Sequence, residues 1–570
     1  MPRHVPTLVC LALSCGAAAA ALPAAVPAPR LATLAVPGDA RFVAIARDVA
    51  LVQTEHTPDF AAQSGLVDDA IRVPSYAPAH VADMTRRLHA DIAALHALPW
   101  RDWSVDQQID VRWVEANAQR VARELEVEQL YRHRPGAWLE PLANTLIAVV
   151  TYAPARTDAI DGLAARVPAL VDEMRTLCKP TGVDAGVALG LIDGIGAVLK
   201  AHPGTHSDAA VTALASYRAQ LEAVKDKTSF AVIGAANYAW RLRHANLLPW
   251  TPAALRALAE QELKDVDAQI AALSPRLPRT PPLAPALEKQ AKALDQAALL
   301  ALYDHIQVDY RAAIEKAGFV TIPAGVGPVR ARVTPDAMVP LTGDGGSMNP
   351  PPPFIADDTG WWNVEHFDPK MPLSEREDAI REGALYRLNG MGPYAAHEGV
   401  PGHHLQLSVA RLNPDPLRSL FQDPVENEGW ALYAEQEMWE QGGFGHAAAT
   451  RLAVLKSWRS RIRRVVYDVN METGAWTLQQ GADWRAGTAP GKTPLSPEIL
   501  RAVNWPAQLI CYFAGKEQIL ALKRDAKAKW GAGYTERRFN DELLALGSVP
   551  YVFARAKLLG EPVPGFDPNS

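Results

Sequence analysis

The sequence predicts a mainly α-helical protein with a small strand element, long enough at 570 residues for two lobes around a cleft. Three observations predict it. Apolar residues recur at helical spacing in widely separated segments. Two short strand candidates lie close together, just upstream of a histidine-rich segment. Runs of proline and glycine mark the breaks between helical stretches, and the sequence shows neither an internal repeat nor sustained heptads.

The chain starts with "MPRH", a short basic segment, then an apolar run, "VPTLVCLALSCGAAAAAL", then a Pro/Ala spacer, "PAAVPAPRL". This order reads as a secretory signal over residues 1–21 and a Pro/Ala-rich linker over 22–40, with an A-x-A cleavage site such as Ala18-Ala19-Ala20. Export to the periplasm or the medium is the expectation. Lipidation at Cys15, giving an outer-membrane lipoprotein, is the rival, although Ala12 stands where a lipobox usually has leucine. Residues 41–570 read as one helical unit. Its N-terminal part (41–320) is mainly helical, and its C-terminal part (321–570) carries the chemistry. No later run reaches the roughly 18–20 unbroken apolar residues of a membrane span.

Each element has a local reason. Leu88, Ile92 and Leu95 recur at i, i+4, i+7, as do Ile109, Trp113 and Ala116. Ala259, Leu263, Val266 and Ile270 extend the pattern over three turns. Thr251-Pro252 is a helix start, a side-chain acceptor followed by proline at the first helical position. "SPRLPRTPPLAP" (274–285) ends that unit. "VRARVTP" and "GWWNVEHF" (360–367) are the strand candidates. Between them "TGDGGSMNPPPPF" (342–354) reads as irregular backbone, and Ser374 with Glu377 as a capping box.

Composition excludes some function classes. A formal charge of −6 and 48% hydrophobic residues describe a globular chain, with no basic excess for nucleic acid or an anionic membrane surface. Of four cysteines, Cys10 and Cys15 lie in the signal region. Cys178 and Cys511 read as buried thiols rather than a disulfide framework.

The chemistry concentrates in "AAHEGVPGHHLQ" (395–406). Two imidazoles on one zinc must bring their nitrogens within a few Å of each other. On an unbroken helix His397 and His403 would be separated by a rise of about 9 Å, and His397 and His404 by about 10.5 Å. Pro401 lacks the amide proton that would bond the His397 carbonyl and clashes with it. With Gly399 and Gly402 beside it, "GVPG" predicts a kink or bulge, the helix resuming near His403. That restores ligand spacing for one of the two histidines and sets Glu398 beside the metal as a proton acceptor. A third ligand comes from "ENEGWALYAEQEMW" (426–439): Glu428, with Glu426 as fallback.

"HEGVPGHHLQ", "ENEGWALYAE", "RAVNWPAQLICYFAG" and "LLALGSVPYVFARAKL" resemble, in that order, the domain of unknown function 885 family. The resemblance is strong over roughly 390–560. In these motifs His397, Glu398, His403, His404, Gln406 and Glu428 match, as do Arg501, Trp505, Pro506, Gln508, Tyr512 and Gly515. Arg464, Asp468, Trp476 and Thr477 match further upstream. Ala502, Ala507 and Phe513 depart from the usual Tyr, Gly and Lys, and Asn470 and Glu472 from Gly and His. The family is assigned to the zincin-like metallopeptidases, beside carboxypeptidase Taq and thimet oligopeptidase. The resemblance therefore implies a two-lobed zincin-like helical fold with a small β element beside the active-site helix, and one Zn²⁺ per chain.

The mechanism so implied is hydrolysis of a peptide or small amide. Zinc is held by His397, Glu428 and one of the two following histidines. Glu398 activates the zinc-bound water and passes the proton to the leaving amine. The "GH" of "PGHH" aligns with the "GH" of HEFGH-type relatives, which favours His403 as ligand and leaves His404 to act on the transition state. Tyr512 and Arg501 are candidate oxyanion partners, eleven residues apart and on one face if that stretch is helical. The basic run "KSWRSRIRRVVYD" (456–468) reads as a solvated helix face or a substrate-carboxylate site, with Asp468 available to pair with Arg464. "GWWNVEHF" reads as packing or as an edge strand for a bound peptide. Two rival readings stand: a zinc hydrolase of non-peptide amides or cell-wall peptides, and a catalytically silent, metal-stabilised periplasmic binding protein. Glu398 speaks against the latter, because a structural zinc needs no base.

Overall fold

The apolar periods become helices where the pattern places them. The computed structural model describes residues 30–224, 229–276 and 282–567. The expected signal segment, Cys10, Cys15 and the start of the linker lie outside the described residues. Helices α1 (Pro78–His96) and α2 (Val105–Arg123) bury Leu88, Leu95, Ile109 and Trp113. They are followed by α3 (Gly136–Tyr152) and α4 (Gly182–Ala201). By length and composition α4 is apolar enough to cross a membrane, and Ala185, Ala188, Ile195 and Leu199 bury its inner side in the core. Helix α5 (Pro252–Leu273) opens as expected, the Thr251 hydroxyl accepting from the Ala254 amide at 3.2 Å. Helix α6 (Gln296–Ala317) stops at Gly318, whose φ of +68° suits the left-handed C-terminal cap.

A three-stranded sheet follows, β1 (Val329–Val333), β2 (Ser347–Asn349) and β3 (Gly360–Val364), in the order β1-β3-β2. β1 runs parallel to β3, with Val329 opposite Gly360, and β2 runs antiparallel to it, with Met348 opposite Trp362. Two expectations are corrected. The glycine- and proline-rich segment 342–354 contains a strand, because Ser347–Asn349 pair with β3. β3 is central, so its backbone is paired on both sides and offers no edge to a peptide.

The C-terminal helices are α7 (Met391–Glu398), α8 (His403–Arg411), α9 (Pro424–Glu440), α10 (Ala448–Glu472), α11 (Pro497–Asn504) and α12 (Cys511–Trp530). The helix before α7, Leu373–Ala384, is capped at Pro372 without a side-chain bond. Ser374 therefore sits inside its first turn and the expected capping box does not form. α9 and α12 pack backbone to backbone: a Cβ on Gly429 would lie 2.5 Å from Gly515 Cα. α5 lies along α10, where the Trp458 indole donates to Glu262 at 3.1 Å and Arg459 pairs with Asp267. One main hydrophobic cluster contains Phe42, Trp138, Tyr310, Trp430 and Phe553, so both halves of the chain share it. Cys178 and Cys511 are free, buried thiols.

Candidate metal centre

α7 ends at Glu398 and α8 begins at His403, so the "GVPG" segment is a break between two helices. The His404 amide reaches back over it to the Gly399 carbonyl at 3.1 Å. Gly402 is needed there, because a Cβ would collide with the carbonyls of Ala396 and His397. Two side chains hold the break from outside. Gln307 on α6 donates to the Ala395 carbonyl and accepts from the Val400 amide, both at 3.2 Å. Trp430 on α9 donates to the Pro401 carbonyl at 2.9 Å.

The break turns the first residue of α8 toward the last turn of α7. The ligating atoms of His397, His403 and Glu428 all lie within 4.8 Å of one another. Glu428 Oε2 stands 3.4 Å from His397 Nε2 and 3.3 Å from His403 Nε2. It is buried, yet it takes no aligned hydrogen bond from either ring. Three donors that approach one another without bonding fit a shared cation better than a hydrogen-bond network. Two imidazoles and a carboxylate are also a ligand set that leaves a coordination position open. His397 is buried, whereas the His403 and Glu428 side chains each keep 15% of their exposure, so the centre is open on one side.

The environment sharpens the electrostatics. Burial alone would depress His397, but the Glu428 and Glu435 carboxylates beside its two ring nitrogens prevail and push it up to about 9. Burial would likewise raise Glu428, but the two histidines hold it well below the usual carboxylate range. Glu435 Oε1 lies 3.0 Å from His397 Nδ1 without an aligned hydrogen bond, which sets a carboxylate behind the ring, the place such a group takes behind a metal-binding histidine. Sequence reasoning missed Glu435. The available signal was its position two helical turns after Glu428, on the same face of α9. Glu426, the fallback ligand, faces elsewhere: it is buried, accepts from Gln406 at 2.5 Å, and burial raises its carboxyl well above the ordinary range.

Glu398 closes α7 and is partly exposed. Among the described residues its carboxylate takes no hydrogen bond or ion pair, so it is free to accept a proton. His404 corrects an expectation. Its neighbour His403 points at the cluster, so the helical turn of about 100° per residue carries His404 to another face. There it is fully buried, its Nε2 lies 2.9 Å from the Gly327 carbonyl, and its ring abuts Gly360 at the start of β3. Burial lowers it to about 4, so it is a neutral packing residue between α8 and the sheet rather than a group at the cluster.

Arg501 and Tyr512 meet, although not by the expected route. They sit on separate helices, α11 and α12, joined by a turn in which Ala507 takes a φ of +62°. Arg501 Nη2 donates to the Tyr512 hydroxyl and to Gln508 Oε1, both at 2.9 Å. Gln508 in turn donates to Glu428 Oε1 at 3.3 Å. The Tyr512 ring stacks at 5.9 Å on His397. Burial and the Glu428 charge push its phenol up to about 12, against the nearby arginines.

The basic run on α10 is not one solvated face. Arg459 makes an outer ion pair with Asp267, while Arg461 and Arg464 turn inward over the Tyr512 ring at 5.8 and 4.7 Å. Arg464 pairs with Glu498 at 3.1 Å rather than with Asp468. Asp468 is fully buried and accepts from the Tyr238 hydroxyl at 2.6 Å, and burial raises its carboxyl well above the ordinary range.

The sequence model described as "Bacterial protein of unknown function (DUF885)" matches residues 58–558. No curated protein matches. Two solved structures share the fold. A candidate lipoprotein of unknown function from Shewanella oneidensis is 19% identical, with a TM-score of 0.70, covering 91% of this chain and 100% of that one. A candidate lipoprotein from Colwellia psychrerythraea is 16% identical, with a TM-score of 0.63, covering 91% and 99%.

Proposed function

We propose that this chain, which belongs to the DUF885 family, is a zinc-dependent hydrolase that cleaves peptide or related amide bonds. The observation that carries the reading is the convergence of His397, His403 and Glu428 within 4.8 Å, with the uncommitted carboxylate of Glu398 next in sequence to His397. Bound by those three residues, one Zn²⁺ would supply Lewis acidity to a water and to the scissile carbonyl. Glu398 accepts the proton of the attacking water and returns it to the leaving amine. Glu435 keeps the His397 ring in one tautomer and one orientation.

Tyr512 is the proposed oxyanion donor. Arg501 donates to its oxygen, which leaves the phenol's own proton free for a developing negative charge. A phenol pushed up to about 12 keeps that proton through the neutral range. A two-lobed zincin-like fold is part of the same proposal, as is export. The solved structures described as candidate lipoproteins support Cys15 as a lipid anchor at least as well as cleavage after Ala20.

The test is Glu398→Gln, assayed for zinc content and for hydrolysis of a mixed peptide library with free and blocked termini. The variant should keep stoichiometric zinc and lose at least 100-fold in kcat/KM, in the range of a missing general base. Zinc binding with no hydrolysis in the wild type would point to a silent binding protein. A wild type without stoichiometric zinc would overturn the reading.

A further inference from the structure

We propose that a cavity adjoining the cluster binds a cationic group of the substrate, an ammonium or a guanidinium, between Asp59 and Glu140. The inference rests on the hydrolase reading and names the chemical class that the site accepts. The cavity measures about 490 Å³ and lies between α2, α3 and the turn that joins α11 to α12. Gln508 forms part of its wall and also donates to Glu428, so the cavity and the cluster share a side chain. A space of this size takes an amino-acid side chain or a chain terminus.

The charges on the wall do not balance. Glu124 is met by Arg120, Arg241 and His56, and Glu128 by Arg241. Asp59 and Glu140 form no ion pair among the described residues, although His56 acts on the first and Arg134 on the second from beyond contact distance. Asp59 accepts from the Asn144 amide at 2.9 Å, and Glu140 from the Trp505 indole at 3.0 Å. Both carboxyls are raised, each first by burial, and Glu140 reaches about 7 with the Asp59 charge adding to burial and the indole bond and the Arg134 charge opposing it. A carboxylate held in a partly apolar cavity without a counter-charge is unfavourable, and a ligand cation offsets that cost.

Two further features point to a ligand. His56 on the same wall is 8% exposed, its Nε2 is held by Glu124, and its Nδ1 has no partner. Tyr76, Trp113, Tyr131 and Trp505 also line the cavity and give its wall apolar surface for the hydrocarbon part of a ligand. The cation is organic rather than metallic. Among the described residues, the His397–His403–Glu428 cluster is the one group of three His, Cys, Asp or Glu donors close enough to hold a metal.

The experiment measures binding to the full chain, with and without a zinc chelator, by calorimetry. Three probes are compared: norleucinamide, which has a free α-ammonium; Nα-acetyl-lysinamide, which has a side-chain ammonium; and Nα-acetyl-norleucinamide, which has neither. At least one cationic probe should bind tenfold or more tightly than the neutral one, and the stronger of the two identifies the source of the cation. Glu140→Gln and Asp59→Asn should shrink that preference below threefold, and the chelator should leave it intact. The proposal is overturned if the neutral probe binds as tightly as both cations, if no probe binds, or if the preference survives both substitutions. A preference seen in a protein that takes up no stoichiometric zinc when the metal is supplied would leave the subsite standing while the hydrolase reading fell.

Discussion

Replacing the two adjacent histidines one at a time should produce opposite defects. His404→Ala removes a fully buried ring and with it the 2.9 Å contact to the Gly327 carbonyl, which keeps only the longer bond from Arg311 at 3.4 Å. Losing the shorter of two bonds to a buried acceptor costs about 0.5–1.5 kcal/mol. Large-to-small substitution in a core costs about 2–5 kcal/mol. Because the two terms overlap, a loss of about 3 kcal/mol is expected. His403→Ala removes a side chain that keeps 15% of its exposure and contacts Glu428 at 3.3 Å, so folding should change by about 1 kcal/mol or less. The donor set, however, falls from three to two. Loss of a supporting residue behind a ligand already costs 10–100-fold in metal affinity, so loss of a ligand should exceed about 100-fold. The assay pairs metal content after dialysis with urea unfolding in chelator, which separates metal binding from intrinsic stability. His403→Ala should emerge metal-free and stable, and His404→Ala metalled and destabilised. Equal metal loss in both, or stoichiometric metal in His403→Ala, would refute the assignment.

Three further outcomes follow from the geometry. Zinc takes a neutral imidazole, and His397 without metal holds its proton up to about 9, so binding at pH 7 must expel that proton. Affinity should then rise about tenfold per pH unit from 7 to 9 and level off above, a gain of about 2.7 kcal/mol over the interval; a flat profile in chelator competition would contradict this. Gly429→Ala should lower the thermal midpoint, because its Cβ meets the Gly515 backbone at 2.5 Å, an overpacking worth about 1–3 kcal/mol. A raised midpoint, the usual result of replacing glycine in a helix, would mean that α9 and α12 separate freely. Ala507→Gly relieves a residue at φ +62°, about 1–2 kcal/mol of backbone strain, against a smaller entropic loss. Its midpoint should hold or rise, and a clear fall would show that the Ala507 methyl group packs productively.

The sequence by itself determined the local elements and the chemistry they carry. Helical period, the Thr251-Pro252 start and the two strand segments are short-range signals, fixed by sterics and by which face is apolar. The helix break at "GVPG" belongs with them, since Pro401 denies the His397 carbonyl its hydrogen bond whatever surrounds it. Only the tertiary structure decided which groups face each other. His403 and His404 are neighbours of the same type, and their roles diverge because Gly327 and Gly360 receive one ring while Glu428 receives the other. Arg501 reaches Tyr512 across a turn instead of along a helix, and Asp468, which the sequence offered to Arg464, is taken instead by Tyr238 from the first half of the chain. β3 became central because β2 formed within a segment that no local pattern marks as a strand. Glu435 and Gln307 act only through packing against α7 and the break that follows it. Such pairings depend on burial shared between distant segments, and no window of sequence contains both partners.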